Sequence, residues 1–417
     1  MVLGTPDATS LKLDEKKVTF LEDVSSDSSL AKLKNEPVGL VNLGNTCYLN
    51  SSLQALLGVG ELRKELENYQ PSGSSSGNFI LFLKQLFEKL SAKEDKVVPL
   101  NFLTSLRLQF PQFSERSEHG QYKQQDAEEA FSLILNDVLR QFGSLENFLK
   151  IGLAVSTKCL ETEEEPVTSF EESLKLDCHI NIKTNFLKDG LVNNLKETIQ
   201  KNNDSLGRDA QYEISRKIVR LPKYLTVHFM RFFWRRDTNK KSKILRKVQF
   251  PFQLDLTDLL DDSVRESKSV IRDKIYKIEK DNEEEARDFK KAKKSQSDIT
   301  LSAREKEQKQ KEDLEKLQSK WTKSYESAFP EDFDPASGEN PSSLYELQSI
   351  ITHQGSSADS GHYQCFVKDE LDPTGERWYK FNDAIVTVVS RDKVEQLAGG
   401  GESDSALICL YKAVGLK

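Results

Sequence analysis

The chain has 417 residues, of which 37% are hydrophobic and 30% charged, with a net charge of −7. That length is large for one small core, so one multi-lobed domain or two domains are expected. The acidic balance argues against a nucleic-acid binder, and no apolar run reaches the roughly 18–20 residues that a membrane-spanning helix needs.

Residues 1–36 are polar with scattered hydrophobes and read as an extended arm or linker, without the basic-then-apolar order of a secretory signal. The composition becomes globular near Gly39. After Cys47, Leu49, Leu53, Leu56 and Leu57 recur at helical spacing, with Asn45 or Thr46 placed to cap the helix. PSGSSSG, 71–77, is a loop, and FILFLKQLFEKL, 79–90, is a second amphipathic helix. A third covers 126–142, with Ala127, Ala130, Phe131, Ile134 and Val138 on one face.

Beyond about residue 150 the character turns to strands. Polar and apolar residues alternate over 175–182 and over 212–234, the latter broken at Pro222. SLYELQSIITHQG, GHYQCFVKD, RWYKFND and ALICLYKAV give four strands toward the C-terminus. Between them, 262–327 alternates Lys and Arg with Asp and Glu. It reads as a solvated helical excursion, disordered in part, or alternatively as a docking arm. Helices first, strands last and an insertion in the strand half predict an α+β domain.

The five cysteines, Cys47, Cys159, Cys178, Cys365 and Cys409, have no spacing that suggests a disulfide framework or a zinc knuckle. This favours a reducing compartment, and no metal or cofactor is expected. A lone cysteine is more often a small buried hydrophobe than a nucleophile. Cys47 differs in three respects. It opens a helix, whose N-terminal amides favour a thiolate. Gly44 permits close backbone approach, and Asn42, Asn45 and Asn50 surround it with amide donors of the kind a tetrahedral oxyanion needs.

A thiol nucleophile requires a base, and there are five histidines. His228 lies in an apolar strand, and His119 and His179 have no partner nearby in sequence. His353 and His362 bracket the Gly- and Ser-rich HQGSSADSGH. His362 follows Gly361 at the head of a strand, where a side chain can project over a cleft. The base in turn needs an orienting acceptor. Asn382 and Asp383 close the next strand, and an antiparallel return would bring them back toward His362, although on their own they read more readily as an ordinary β-turn.

Four boxes, G-L-x-N-x-G-N-T-C-Y-x-N, Q-Q-D-A-E-E, G-H-Y and K-F-N-D, occur in that order over more than 300 residues and resemble the ubiquitin-specific proteases. These are papain-like cysteine peptidases that cut after the C-terminal glycine of ubiquitin. The resemblance covers about 37–413 and implies an α+β fold of thumb, palm and fingers. FFWRRDTNKKSKILRKVQFPFQLDL and LAGGGESDSALICLYK resemble the yeast-type, proteasome-associated branch. MVLGTPDA resembles the exit of that branch's ubiquitin-like domain. Residues 1–36 are therefore expected to be a linker and remnant of it, and 37–417 the catalytic domain with a helical or disordered insertion at about 262–340.

The resemblance implies Cys47 as nucleophile, His362 as base and then acid, Asn382 as the residue orienting it, and Asp383 as a second candidate partner. Asn42 matches the oxyanion-stabilising side chain. Gln125 and Asp126 lie in the box that binds the ubiquitin tail, and Phe232, Gly361 and Tyr363 map to the walls of its channel. The loops 231–245 and 353–361 are expected to cover that channel in the free enzyme. Many relatives hold their fingers with four zinc-binding cysteines, whereas here only Cys159 and Cys178 fall in that region. The implied partners are ubiquitin, ubiquitinated proteins and the 26S proteasome regulatory particle, with no nucleic acid and no membrane. A monomer, cytoplasmic and nuclear, is expected. A catalytically weak, ubiquitin-binding regulator of the proteasome is the alternative reading.

Overall fold

The computed structural model describes residues 36–71, 78–94, 96–235, 240–295, 303–358 and 360–416. The expectations for the N-terminal remnant and for most of the 71–77 loop lie outside them. The described chain is α+β. A helical lobe comes first: α1 Cys47–Leu56, α2 Gly60–Asn68, α3 Asn78–Ser91, α4 Leu100–Gln109, α5 Ala127–Gln141 and the single turn α6 Glu146–Leu149.

The apolar periodicity explains how these helices pack. Leu49, Leu53 and Leu56 of α1 are fully buried, as are Ala127, Ala130, Ile134 and Val138 of α5. They share one core with the facing side of the main sheet, through Ile351, Tyr363, Cys365 and Phe381. Truncating a leucine so buried costs about 2–5 kcal/mol. Thr46 takes the N-cap position of α1 without capping it, because its hydroxyl already accepts from the Leu43 amide at 2.9 Å. Asp126 does cap α5, accepting from the Glu128 amide at 3.0 Å.

The strands form three sheets. The first, in order β2-β1-β5-β4, is built from β1 Ile151–Cys159, β2 Val167–Ser173, β4 Lys196–Asn203 and β5 Arg208–Arg220. The main sheet runs β13-β12-β11-β10-β14-β6-β3, with β9 Gln253–Asp255 beside β10. Its members are β3 Leu176–Cys178, β6 Tyr224–Phe229, β10 Leu344–Gln354, β11 His362–Lys368, β12 Arg377–Asn382, β13 Ile385–Ser390 and β14 Ser405–Ala413. The third is a hairpin of β7 Phe232–Arg235 and β8 Lys240–Lys243. A second core covers the other face of the main sheet, around Tyr345, Phe366, Trp378 and Tyr411. Helix α7, Leu187–Leu195, packs into it through Leu187 and Leu191, and α10, Arg391–Glu395, through Val394.

Two strand expectations change. The run predicted over 175–182 stops at Cys178, because side chains capture the backbone beyond it. Asn181 N–H donates to Thr184 Oγ1 at 3.0 Å, and Lys183 N–H to Asn181 Oδ1 at 2.8 Å. Beyond the Asn382–Asp383 turn, where no strand was expected, the chain forms β13, in unbroken antiparallel register with β12.

The charged segment forms two long helices, α8 Asp262–Ser295 and α9 Ala303–Ala328. They run antiparallel, since Asn282 bonds Tyr325 while Glu285 bonds Trp321. A small apolar base of Ile271, Ile275 and Ala328 fixes them to Leu344 and Val414 of the main body. Charges occupy the remaining faces because little else covers them.

Candidate active site

The chain enters the site through a tight turn. Gly44 and Asn45 both have left-handed backbones, φ 94° and 54°, which aim the start of α1 at the end of the main sheet. Asn42 organises that turn. Its Oδ1 accepts from the Gly44 amide at 2.9 Å and the Thr46 amide at 3.2 Å. Cys47 follows as the first residue of α1 and is 2% exposed.

His362 opens β11 and Asn382 closes β12, on adjacent strands. The imidazole Nε2 lies 2.6 Å from Asn382 Oδ1. Through that contact Nε2–H donates to the amide oxygen, leaving Nδ1 free to exchange a proton with a thiol. The His362 pKa is pushed up to about 9, chiefly by a hydrogen bond with the Cys47 thiol and, against the opposing effect of burial, by Asn382.

Asp383 is placed differently from a simple second partner of His362. Its Oδ2 is 4.0 Å from His362 Nε2, beyond hydrogen-bond reach. Both oxygens instead accept from the helical lobe: Asn42 Nδ2 donates to Oδ2 at 2.9 Å, and Asn50 Nδ2 to Oδ1 at 2.8 Å. Its carbonyl accepts from the Leu40 amide at 3.0 Å. The residue has φ 52° and packs so close to Gly39 that a Cβ there would lie 2.3 Å from its carbonyl oxygen.

The predicted tail-binding residues gather beside this centre. Tyr363 is fully buried, its ring centroid 4.6 Å from that of His353. Phe232 meets the same imidazole edge-on at 5.2 Å. Gly361 has φ 108°, and a Cβ there would fall 2.1 Å from the Gln354 carbonyl, so only glycine fits. Asp126 sits at the head of α5, while Gln125 turns aside, donating to the Gln112 carbonyl at 3.1 Å.

The β7–β8 hairpin bridges these elements. Lys241 Nζ is 2.9 Å from Asp126 Oδ2 on the helical lobe. On the sheet side, Ser357 Oγ donates to the Lys241 carbonyl at 2.7 Å and Lys243 N–H to the Ser356 carbonyl at 2.9 Å. Lys243 Nζ reaches the His353 carbonyl at 2.6 Å. Burial pushes the Lys243 ammonium down to about 8, and burial together with Lys243 pushes His353 down to about 4, so His353 is neutral at physiological pH.

With this geometry in hand, comparison with known proteins is decisive. A family model described as "Ubiquitin carboxyl-terminal hydrolase" matches residues 38–411. The chain belongs to the ubiquitin carboxyl-terminal hydrolase family. It is 39% identical to ubiquitin carboxyl-terminal hydrolase 6 of Schizosaccharomyces pombe over 382 residues, 90% of this chain and 78% of that one. It is 34% identical to ubiquitin carboxyl-terminal hydrolase 7 of Arabidopsis thaliana over 429 residues, 99% and 85% of the two chains. Ubiquitin carboxyl-terminal hydrolase 14 of Caenorhabditis elegans is 33% identical over 388 residues, 90% and 73%. The hydrolase is thus a cysteine-type deubiquitinase with ubiquitin as its substrate.

Three features of the hydrolase's site were beyond sequence reasoning. Asn50 was read as one of several amides near Cys47, yet it is 3% exposed and ties α1 to the β12–β13 turn. Lys241 carried no local signal of its own. Arg231 is fully buried at the root of the hairpin, donating to the carbonyls of Ala406 at 2.7 Å, Arg246 at 2.8 Å and Ala398 at 3.2 Å. Each depends on a long-range partner that local spacing cannot reveal. No group of three or more His, Cys, Asp or Glu residues suited to a metal occurs among the described residues.

Proposed function

We propose that Cys47 is the nucleophile of this deubiquitinase and His362 its base, with Asn382 orienting the imidazole. His362 takes the thiol proton, and the thiolate attacks the carbonyl carbon of ubiquitin's C-terminal glycine. The oxyanion formed is met by the Cys47 amide and by Asn42 Nδ2. His362 then gives its proton to the departing lysine amine, leaving a thioester on Sγ. Water, deprotonated by His362, attacks the thioester and releases ubiquitin as a free carboxylate, restoring the thiol. The observation that carries this reading is the His362 imidazole, tied on one nitrogen to Asn382 at 2.6 Å and hydrogen-bonded to the Cys47 thiol at the head of α1.

Asp126 would engage the cationic end of the ubiquitin tail, while Phe232, Gly361 and Tyr363 form walls too narrow for any residue but glycine. Asp383 would act by positioning Asn42, not as a partner of His362. The resemblance further supports action on proteasome-bound substrates, recycling ubiquitin and regulating degradation, by a monomer in the cytoplasm and nucleus. The Lys241–Asp126 contact favours a regulatory component as well, since it occupies the carboxylate that the tail would need.

The test is intact-mass labelling by ubiquitin bearing a C-terminal thiol-reactive group, with and without proteasome. One adduct that disappears in Cys47→Ala is the expected result. Faster labelling with proteasome would support release of the hairpin. A folded protein that is not labelled in either condition would leave ubiquitin binding without catalysis.

A further inference from the structure

Among the described residues the main sheet ends at β13, and no strand pairs with its outer edge. Its sequence is IVTVVS, with no charge, no proline and no glycine. The strand pairs with β12 through all six residues without a bulge, and its outward amides and carbonyls have no hydrogen-bond partner among the described residues. Ile385 and Val388 are 63% and 48% exposed. Folded proteins usually blunt such an edge with lysine, proline, a bulge or a covering element. Among the described residues β13 carries none of these devices, although its sequence is rich in β-branched residues.

Its position matters as much as its composition. The rung that closes the β12–β13 hairpin is Asn382–Ile385. The edge therefore begins on the rung that holds the imidazole's partner. Of the walls assigned to the ubiquitin tail, Phe232 packs on His353 of β10, and Gly361 and Tyr363, the chain neighbours of His362, abut that same imidazole, so the channel they line lies toward β10. A tail carbonyl entering from the β10 side and reaching Cys47 directs its leaving amine toward β12 and β13.

We propose that the β13 edge pairs with an extended segment of the acceptor polypeptide, the chain whose lysine is being released. The inference rests on the deubiquitinase reading above and adds a substrate class to it: acceptors whose modified lysine adjoins an unstructured stretch. Backbone pairing is indifferent to side-chain sequence, which suits an enzyme whose leaving group varies. An added strand would lie about 4.8 Å outside β13. The modified lysine must then sit just beyond the paired residues, over the Asn382–Asp383 turn, and not within the ladder. Continuity of the edge with that turn singles out the acceptor segment over other occupants.

The test uses three substrates of the full chain. One is ubiquitin joined through an isopeptide bond to a lysine that ends a short Val/Thr peptide. The second is identical except that alternate backbone amides of the peptide are N-methylated, which removes pairing but keeps the side chains. The third is ubiquitin carrying a small C-terminal fluorophore amide. The unmethylated substrate is expected to have a KM about tenfold below its methylated twin, the factor that 1.4 kcal/mol provides. In Val388→Lys, which places a charge on the exposed edge, that ratio should fall to about one. Equal KM values for the two peptides in the wild type, with the fluorophore still released, would overturn the acceptor proposal and leave the hydrolase reading intact. Failure to cleave any of the three would overturn both. Dimerisation in sedimentation that Val388→Lys abolishes would assign the edge to a second copy instead, and also overturn it.

Discussion

Asp383→Ala tests the division of labour at the centre of the site. The substitution removes the acceptor of two side-chain hydrogen bonds, from Asn42 at 2.9 Å and from Asn50 at 2.8 Å. Bonds to a charged acceptor contribute about 1.5–3 kcal/mol each. Asn42 is partly solvated, but Asn50 is buried and keeps only the Leu40 carbonyl at 3.2 Å. A net loss of about 2–4 kcal/mol is therefore expected, a drop of several degrees in Tm for a domain of this size. On catalysis, Asn42 is left free to turn. Losing an oxyanion donor outright costs about 10²–10³ in kcat, so a mobile donor should cost about tenfold or more with little change in KM.

The variant also distinguishes two roles. If Asp383 acted directly on His362, its removal would carry the upper limb of the pH–rate profile well below the wild-type position. At 4.0 Å, and as the weakest of the causes that raise the imidazole, it should barely move that limb. Asp383→Asn should be milder than alanine. Asn50 Oδ1 is buried without a partner, so its amide can flip to accept from the new side chain. The assay is steady-state hydrolysis of a ubiquitin fluorophore amide from pH 5 to 10, with Tm measured alongside. An alanine variant with wild-type kcat and Tm, or one whose pH limb moves by a full unit, would refute the reasoning.

Further outcomes follow from individual contacts. Lys241→Ala frees Asp126 from a half-exposed ion pair that contributes about 0–1 kcal/mol. KM for ubiquitin amides should fall by at most about fivefold with kcat unchanged, and a rise in KM would show that Lys241 helps binding. Gly361→Ala meets the Gln354 carbonyl at 2.1 Å in a left-handed backbone and should lower Tm and abolish measurable turnover. His362, raised to about 9, contributes stability that is fully present below its unfolded value near 6.5 and is lost as pH rises through about 9. The Tm gap between wild type and Cys47→Ala should therefore narrow between pH 6.5 and 9.5, and activity should fall over the upper part of that range. Glu279, half-buried in the α8–α9 hairpin and accepting from the Tyr325 hydroxyl, is pushed up to about 7 by burial and then by Glu346, against the pull of Lys368. A raised carboxyl weakens the fold as pH climbs from about 4.5 to 7, so Glu279→Gln should raise Tm at pH 8 and change little at pH 4.5.

What could be read in the sequence follows the range of the interactions concerned. Helices α1, α3 and α5 declared themselves because one apolar stripe faces one core, as Leu49, Leu53 and Leu56 show. The strands that bear His362 and Asn382 were legible through alternation and their flanking turns. β13 was not, because both its faces are partly exposed and IVTVVS gives no polar-apolar contrast. The four boxes pointed to Cys47, His362 and Asn382 as candidates, but spacing says nothing about which groups share a hydrogen bond across more than 300 residues. Asp383 illustrates the limit. Its identity and neighbours suggested a partner for His362, whereas a left-handed backbone at φ 52° turns it toward Asn42 and Asn50. The helical form of the charged segment needed its few apolar anchors, Ile271, Ile275 and Ala328, which a count of charges obscures.

The two sides of the cleft are held with unequal strength, and that inequality has a functional consequence. On the catalytic side, the helical lobe and the sheet are joined by Asn50 on Asp383 and Leu40 on the Asp383 carbonyl, and at the far end of the sheet by Lys223, 4% exposed, on Glu61 at 2.5 Å. Breaking any of these strands a buried polar group, so each resists opening. On the entry side, the lobes meet through Lys241 on Asp126, where the lysine side chain is 38% exposed and water can replace either partner. The hairpin is bound more firmly to the 353–361 loop, through Ser356, Ser357 and His353, than to α5. Opening should therefore separate the hairpin and that loop together from α5, with Arg231 fixing the hairpin's root. Cys47, His362 and Asn382 need not move. A cleft built this way lets the tail enter without disturbing the imidazole, so changes on the entry side should appear in KM and changes around Asp383 in kcat.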